Sequence, residues 1–83
     1  MMDDQVTFKF REPIYTPGSV QMKILQRAYE SGEFIVLEKT NEHVSGRKLM
    51  DNGFLDRHRK SAVTYKISEY GRGYMDYLRD HQP

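Results

Sequence analysis

Hydrophobic residues fall along the chain in blocks whose period changes from one block to the next. "VTFKF", Val6 to Phe10, alternates apolar and polar residues with Val6, Phe8 and Phe10 on one side, the pattern of a half-buried strand. "REPIYTPG" then brings two prolines and a glycine, so the chain turns or runs extended there. "SVQMKILQRAYESG" shifts to a helical period: Val20, Ile24, Leu25 and Ala28 share a stripe, with Tyr29 at its edge. Ser19 is the expected N-cap of that helix, and Gly32 stands where a left-handed stop belongs.

"EFIVLEK", Glu33 to Lys39, is a continuous apolar run with β-branched Ile35 and Val36, which predicts a buried strand. "NEHVSGRKLMDNGF" predicts a short helix ending at Asn52-Gly53, with Asn41 or Ser45 as its N-cap. Gly46 counts against the longer version. Leu49 and Met50 would face the core, leaving Arg47, Lys48 and Asp51 outside. "FLDRHRKSAVTYKIS" predicts a hairpin: Phe54 and Leu55 enter, a polar turn lies near Arg59–Ser61, and Val63, Tyr65 and Ile67 return on alternate positions. Ser68 then caps a last helix, "EYGRGYMDYLRDH", whose stripe is Tyr70, Tyr74, Met75 and Leu78, with Tyr77 alongside.

Length and composition narrow the picture. The 83 residues make one small domain, and a chain of that size buries only about 60% of its unfolded surface. Having 37% hydrophobic residues, it can fill a single thin core. It has no cysteine, which removes disulfides and thiolate metal sites and fits a reducing cytoplasm. No apolar run approaches the roughly 20 residues needed to span a bilayer. The start, "MMDDQVTFKF", lacks the basic region and apolar core of a signal peptide. The expectation is a soluble cytoplasmic protein without membrane contact.

Net charge is only +1, but it is unevenly spread. Residues 1–42 carry five Lys and Arg against seven Asp and Glu, residues 43–66 carry six against two, and residues 67–83 carry two against three. The middle third is therefore the positive one.

Few residues suggest other chemistry. His43, His58 and His81 are widely spaced and fit no metal-binding pattern. Gly71 and Gly73 lie within a predicted helix, so they read as close-packing positions and not as a phosphate loop. No Ser joins a local His and acid, and the scattered acidic residues look like solvated faces. The chain is expected not to be an enzyme and to need no cofactor.

Helix, short strand, helix ending in "NGFL", basic hairpin, then "YKISEYGRGYMDYL": this order resembles a winged helix-turn-helix domain. "KLMDNGFLDR" is similar to the end of a recognition helix leading into the first wing strand. "VTYKISEYGRGYMDYL" is similar to the second wing strand and the helix after it. The similarity covers about Ser19 to Leu78, with one departure: only "EFIVLEKTNEHVSG" separates Gly32 from Arg47, leaving no clear middle helix.

The resemblance implies an α/β (α+β) minimal winged helix of about three helices, a small antiparallel sheet and one wing. An N-terminal strand and extended arm would occupy residues 1–18, the domain residues 19–80 and a tail residues 81–83. It further implies a small DNA-binding transcriptional regulator of phage, plasmid or bacterial type, acting on double-stranded DNA. Helix 43–52 would enter the major groove, presenting Ser45, Arg47 and Lys48. Wing 56–66 would follow the backbone through Arg57, His58, Arg59, Lys60 and Lys66. The final tyrosine-rich helix is the candidate homodimer contact.

Two other readings stand beside it. Charged hairpin tips are ordinarily just solvated, and the scaffold also serves as a protein–protein interaction module with no DNA binding. A third reading makes the chain a subunit whose "VTFKF" segment adds a strand to a partner sheet.

Overall fold

Three helices and a three-stranded antiparallel sheet build the computed structural model, which describes residues 8–81. In chain order they are α1 (Ser19–Ser31), β1 (Ile35–Val36), α2 (Thr40–Asp51), β2 (Leu55–Arg57), β3 (Thr64–Ile67) and α3 (Glu69–Asp80). The sheet order is β1-β3-β2. This is the mixed α/β class the sequence predicts, in the layout of a minimal winged helix. Among the described residues no helix lies between α1 and α2, and none is long and apolar enough to cross a membrane.

α1 buries Ile24, Leu25 and Ala28 as its stripe requires, while Val20, a turn earlier, lies beyond the core and stays exposed. Its N-cap is Gly18, not Ser19. The chain is extended at Gly18 (φ −74°, ψ 179°), and the Gly18 carbonyl already accepts from the Met22 amide at 2.8 Å. Gly32 ends the helix with φ 69°, its amide donating to the Ala28 carbonyl at 3.0 Å.

The predicted strand over Glu33–Lys39 shortens to Ile35 and Val36 at the edge of the sheet. Ile35 pairs with Tyr65 and Val36 with Thr64, and the Leu37 amide still reaches the Val63 carbonyl at 2.9 Å. The chain then turns into α2, whose N-cap is Lys39 instead of Asn41 or Ser45. Gly46 carries a propensity cost of about 1 kcal/mol against Ala, yet it sits mid-helix. It is buried, and a Cβ there would collide with the Leu37 side chain and come within 3.3 Å of the Tyr65 ring. The residue that argues against the longer helix is what lets that helix approach the sheet.

α2 ends in a Schellman motif. Gly53 takes φ 88°, its amide donates to the Met50 carbonyl at 2.9 Å, and the Phe54 amide donates to the Leu49 carbonyl at 2.8 Å. Phe54 and Leu49 are both fully buried, supplying the apolar contact that accompanies this turn. The hairpin follows in the register Leu55–Ile67, Asp56–Lys66 and Arg57–Tyr65. Leu55, Tyr65 and Ile67 enter the core; Val63 is only half-buried, in the turn before β3.

Ser68 caps α3 as predicted, its hydroxyl accepting from the Gly71 amide at 2.9 Å. Gly71 lies against the backbone of Phe54, where a Cβ would overlap the Phe54 carbonyl oxygen. α1 and α3 are joined by the Tyr29 hydroxyl, which donates to the Asp76 carboxylate. That bond raises the Tyr29 pKa above its ordinary value, while burial does the same for Tyr74.

The N-terminal strand predicted over Val6–Phe10 is not formed in its described part, Phe8–Phe10; Val6 and Thr7 lie outside the described residues. Phe8 and Phe10 do share one side, but they pack on the aromatic face of α3. Phe8 lies 5.1 Å from the Tyr70 ring and Phe10 5.3 Å from that of Tyr77, centroid to centroid. Arg11 continues the arm, its guanidinium 4.2 Å over the Tyr70 ring, and the Tyr15 hydroxyl donates to Gln21 at 2.5 Å. The tyrosines proposed for dimer contact are thus covered by the chain's own arm.

Candidate nucleic-acid interface

The helical period divides α2 cleanly. Gly46 and Leu49 are buried, Glu42, His43, Ser45 and Met50 are half-buried, and Thr40, Asn41, Val44, Arg47, Lys48 and Asp51 are exposed. Arg47 and Lys48 therefore project outward as the sequence predicts. Ser45 does not stand among them: it lies on the flank of the helix, half-buried. His43 turns inward, its Nε2–H donating to the Leu37 carbonyl at 2.7 Å and tying the start of α2 to the end of β1.

The exposed face holds more than the sequence reading assigned to it. Val44, 59% exposed, lies one turn before Arg47 and Lys48, with Thr40 and Asn41 one turn before it. The signal was available, since positions three and four residues from an outward-facing side chain also face outward. Asn and Arg are the side chains that read adenine and guanine edges in a bidentate way, and an apolar side chain meets the thymine methyl.

The wing is held by its own polar side chains. The His58 amide donates to the Thr64 carbonyl at 2.8 Å, and the Ser61 and Thr64 hydroxyls meet at 2.8 Å. The Val63 amide reaches the Ser61 hydroxyl at 3.3 Å, and the Tyr65 hydroxyl donates to the Ala62 carbonyl at 3.2 Å. His58, expected to touch a phosphate, also shapes the turn: its Nδ1 accepts from the Lys60 amide at 3.0 Å. Its ring packs against that of Phe34 at 70°, centroids 4.8 Å apart. Arg57, Arg59, Lys60 and Lys66 remain exposed, with the Lys66 ammonium 5.2 Å from the centroid of Phe34.

The cations of the middle third, like Lys9, Arg11, Lys23, Lys39 and Arg72, close no ion pair among the described residues. Among the described residues the ion pairs are Arg27–Glu42, Arg79–Asp76 and Arg79–Asp80. None involves Arg47, Lys48, Arg57, Arg59, Lys60 or Lys66. Asp56 faces Lys66 across the sheet without closing an ion pair. These side chains hold their charge toward solvent, which suits a multiply charged anion arriving from outside.

Nothing in the described residues gathers ligands for a metal: no group of three or more His, Asp and Glu side chains converges. A cleft of about 240 Å³ between the arm and the end of α2 is lined by residues including Arg11, Tyr15, Asp51 and Tyr70. Among the described residues no side-chain polar atom is buried without a partner. The chain finds no match among protein-family models, curated proteins or solved structures.

Proposed function

We propose that this protein binds double-stranded DNA as a small winged-helix regulator of transcription, of phage, plasmid or bacterial type, working in the cytoplasm. α2 would lie in the major groove with Arg47 and Lys48 leading, and the wing would run along the backbone through Arg57, Arg59, Lys60 and Lys66. The observation that carries the reading is that all six of these cations lie exposed along α2 and the wing, in a segment holding six Lys and Arg against two Asp and Glu.

A dimer on a two-fold site would use the flank of α3 beside α1, where Met75 and Leu78 lie near Met22 and Tyr29, since the arm covers the tyrosine face. The alternative is a protein-interaction module on the same scaffold. The lack of a helix between α1 and α2 favours it, because helix-turn-helix proteins use that helix to cross the DNA backbone. An electrophoretic shift on random duplex at low salt tests the choice. Complex formation by tens of micromolar supports DNA binding, in line with nonspecific constants of about 10⁻⁴–10⁻⁶ M. A blank lane at that concentration removes it.

A further inference from the structure

β1 is apolar on both faces, yet the fold covers only one of them. Leu37 is fully buried and Ile35 turns with it toward the core, while Phe34 and Val36, on the alternate positions, stay 44% and 50% exposed. The run "FIVL" is the pattern of a strand enclosed between two layers, and here the outer layer is missing. Among the described residues Phe34 is the one Phe or Tyr whose side chain is exposed.

One cation and one imidazole contact that ring. Lys66 places its ammonium over the Phe34 ring, 5.2 Å from its centroid, and the His58 ring packs against Phe34 at 70° with centroids 4.8 Å apart. Arg59 and Lys60 follow His58 in the turn and are exposed, whereas Arg57 pairs with Tyr65 and has the parity of the other face of the sheet. Asp56 lies opposite Lys66 in the strand register, so the positive strip runs from Phe34 toward the tip and stops on the β2 side.

A half-exposed aromatic ring with an unpaired ammonium over it matches the chemistry of an unpaired nucleobase and its flanking phosphate. An intact duplex hides its base faces and would leave the ring unused. We infer that the outer face of β1 and β3 binds single-stranded nucleic acid, with an unpaired base stacked on Phe34 beside Val36. Lys66, which has no ion-pair partner among the described residues, turns from the ring to the neighbouring phosphate. Arg59 and Lys60 in the turn then follow the strand. This surface shares the wing cations with the duplex reading but does not need α2.

The chain has no tryptophan, so Phe34→Trp installs a single reporter on this face. Titration with a thymidine homopolymer of about 12 nucleotides should quench its emission saturably, and Phe34→Ala in the otherwise unchanged chain should bind the oligomer about 5- to 150-fold more weakly. Circular dichroism shows whether Phe34→Ala stays folded at the assay temperature; Phe34→Leu, which keeps the apolar contact but removes the π-face, takes its place otherwise. Binding without quenching, equal affinity of the variant, or no binding at all would overturn the inference. Arg47→Ala separates it from the duplex reading: it should weaken duplex binding and leave the quenching intact. Quenching by the oligomer with no duplex complex would sink the α2 reading and keep this one.

Discussion

The Ser68 hydroxyl donates to the Gly53 carbonyl at 2.5 Å, joining two residues fifteen positions apart at the base of the wing. The same oxygen accepts from the Gly71 amide, so one side chain closes the hairpin and starts α3. Ser68→Ala would lose the cap and strand the Gly53 carbonyl. The expected loss is about 1–3 kcal/mol, read as a fall in urea midpoint with unchanged m-value.

Gly71→Ala should destabilise despite improving helix propensity. The added methyl would meet the Phe54 carbonyl, which belongs to the backbone and cannot rotate away. Crowding of this kind costs about 1–3 kcal/mol, more than the roughly 1 kcal/mol that alanine contributes in a helix. Gly73→Ala is the useful contrast, because its new methyl meets only the Phe8 ring at 2.8 Å, and a side chain can shift. Thermal melts of the two variants should rank Gly71→Ala clearly below Gly73→Ala.

Stability should fall in alkaline solution. Tyr29 is raised above 10.0 first by its hydrogen bond to Asp76 and then by burial, and Tyr74 is raised first by burial and then by Tyr70. Above the unfolded value the folded chain binds more protons than the unfolded one, so unfolding free energy decreases with pH. The contribution is complete below about pH 10 and is lost as pH rises through the higher folded values. Urea melts across that window should show the decline, and Tyr29→Phe with Tyr74→Phe should flatten it.

Neutralising the wing should change salt dependence as well as affinity. With Arg57, Arg59 and Lys60 all changed to Ala, DNA binding weakens, and the slope of log K against log salt should become shallower by about 2.7, at about 0.9 per lost phosphate contact. Fluorescence anisotropy at several salt concentrations measures both quantities. An unchanged slope would remove the wing from the interface.

Arg47 should act differently from the wing. If it reads a guanine edge, Arg47→Ala costs about 1–3 kcal/mol on a selected site and flattens preference at one base position. A uniform loss across all sequences would instead make it a phosphate contact. Selection from a random duplex pool, repeated with the variant, distinguishes the two.

Most of the frame was legible in the sequence because local rules and packing agree there. Gly32, the Asn52-Gly53 stop, the alternation of Tyr65 and Ile67, and the Ser68 cap each follow from geometry within a few residues. The misses lie where a distant partner decides. Gly46 reads as a helix breaker until Leu37 and Tyr65 are placed against it. Phe8 and Phe10 alternate like a strand, but their partner is a helix face some sixty residues along the chain. Within the candidate site, Arg47 and Lys48 followed from helical period, whereas the turn-forming role of His58 depends on a loop geometry that composition does not encode.

The Schellman junction has a mechanical consequence. Met50 and Leu49 both spend their carbonyls on the two residues that lead into β2, and Phe54 is locked in the core immediately after them. The end of α2 and the start of β2 are therefore fastened to each other as one hinge-free corner. A shift of the last turn of α2 would thus carry the root of the hairpin with it.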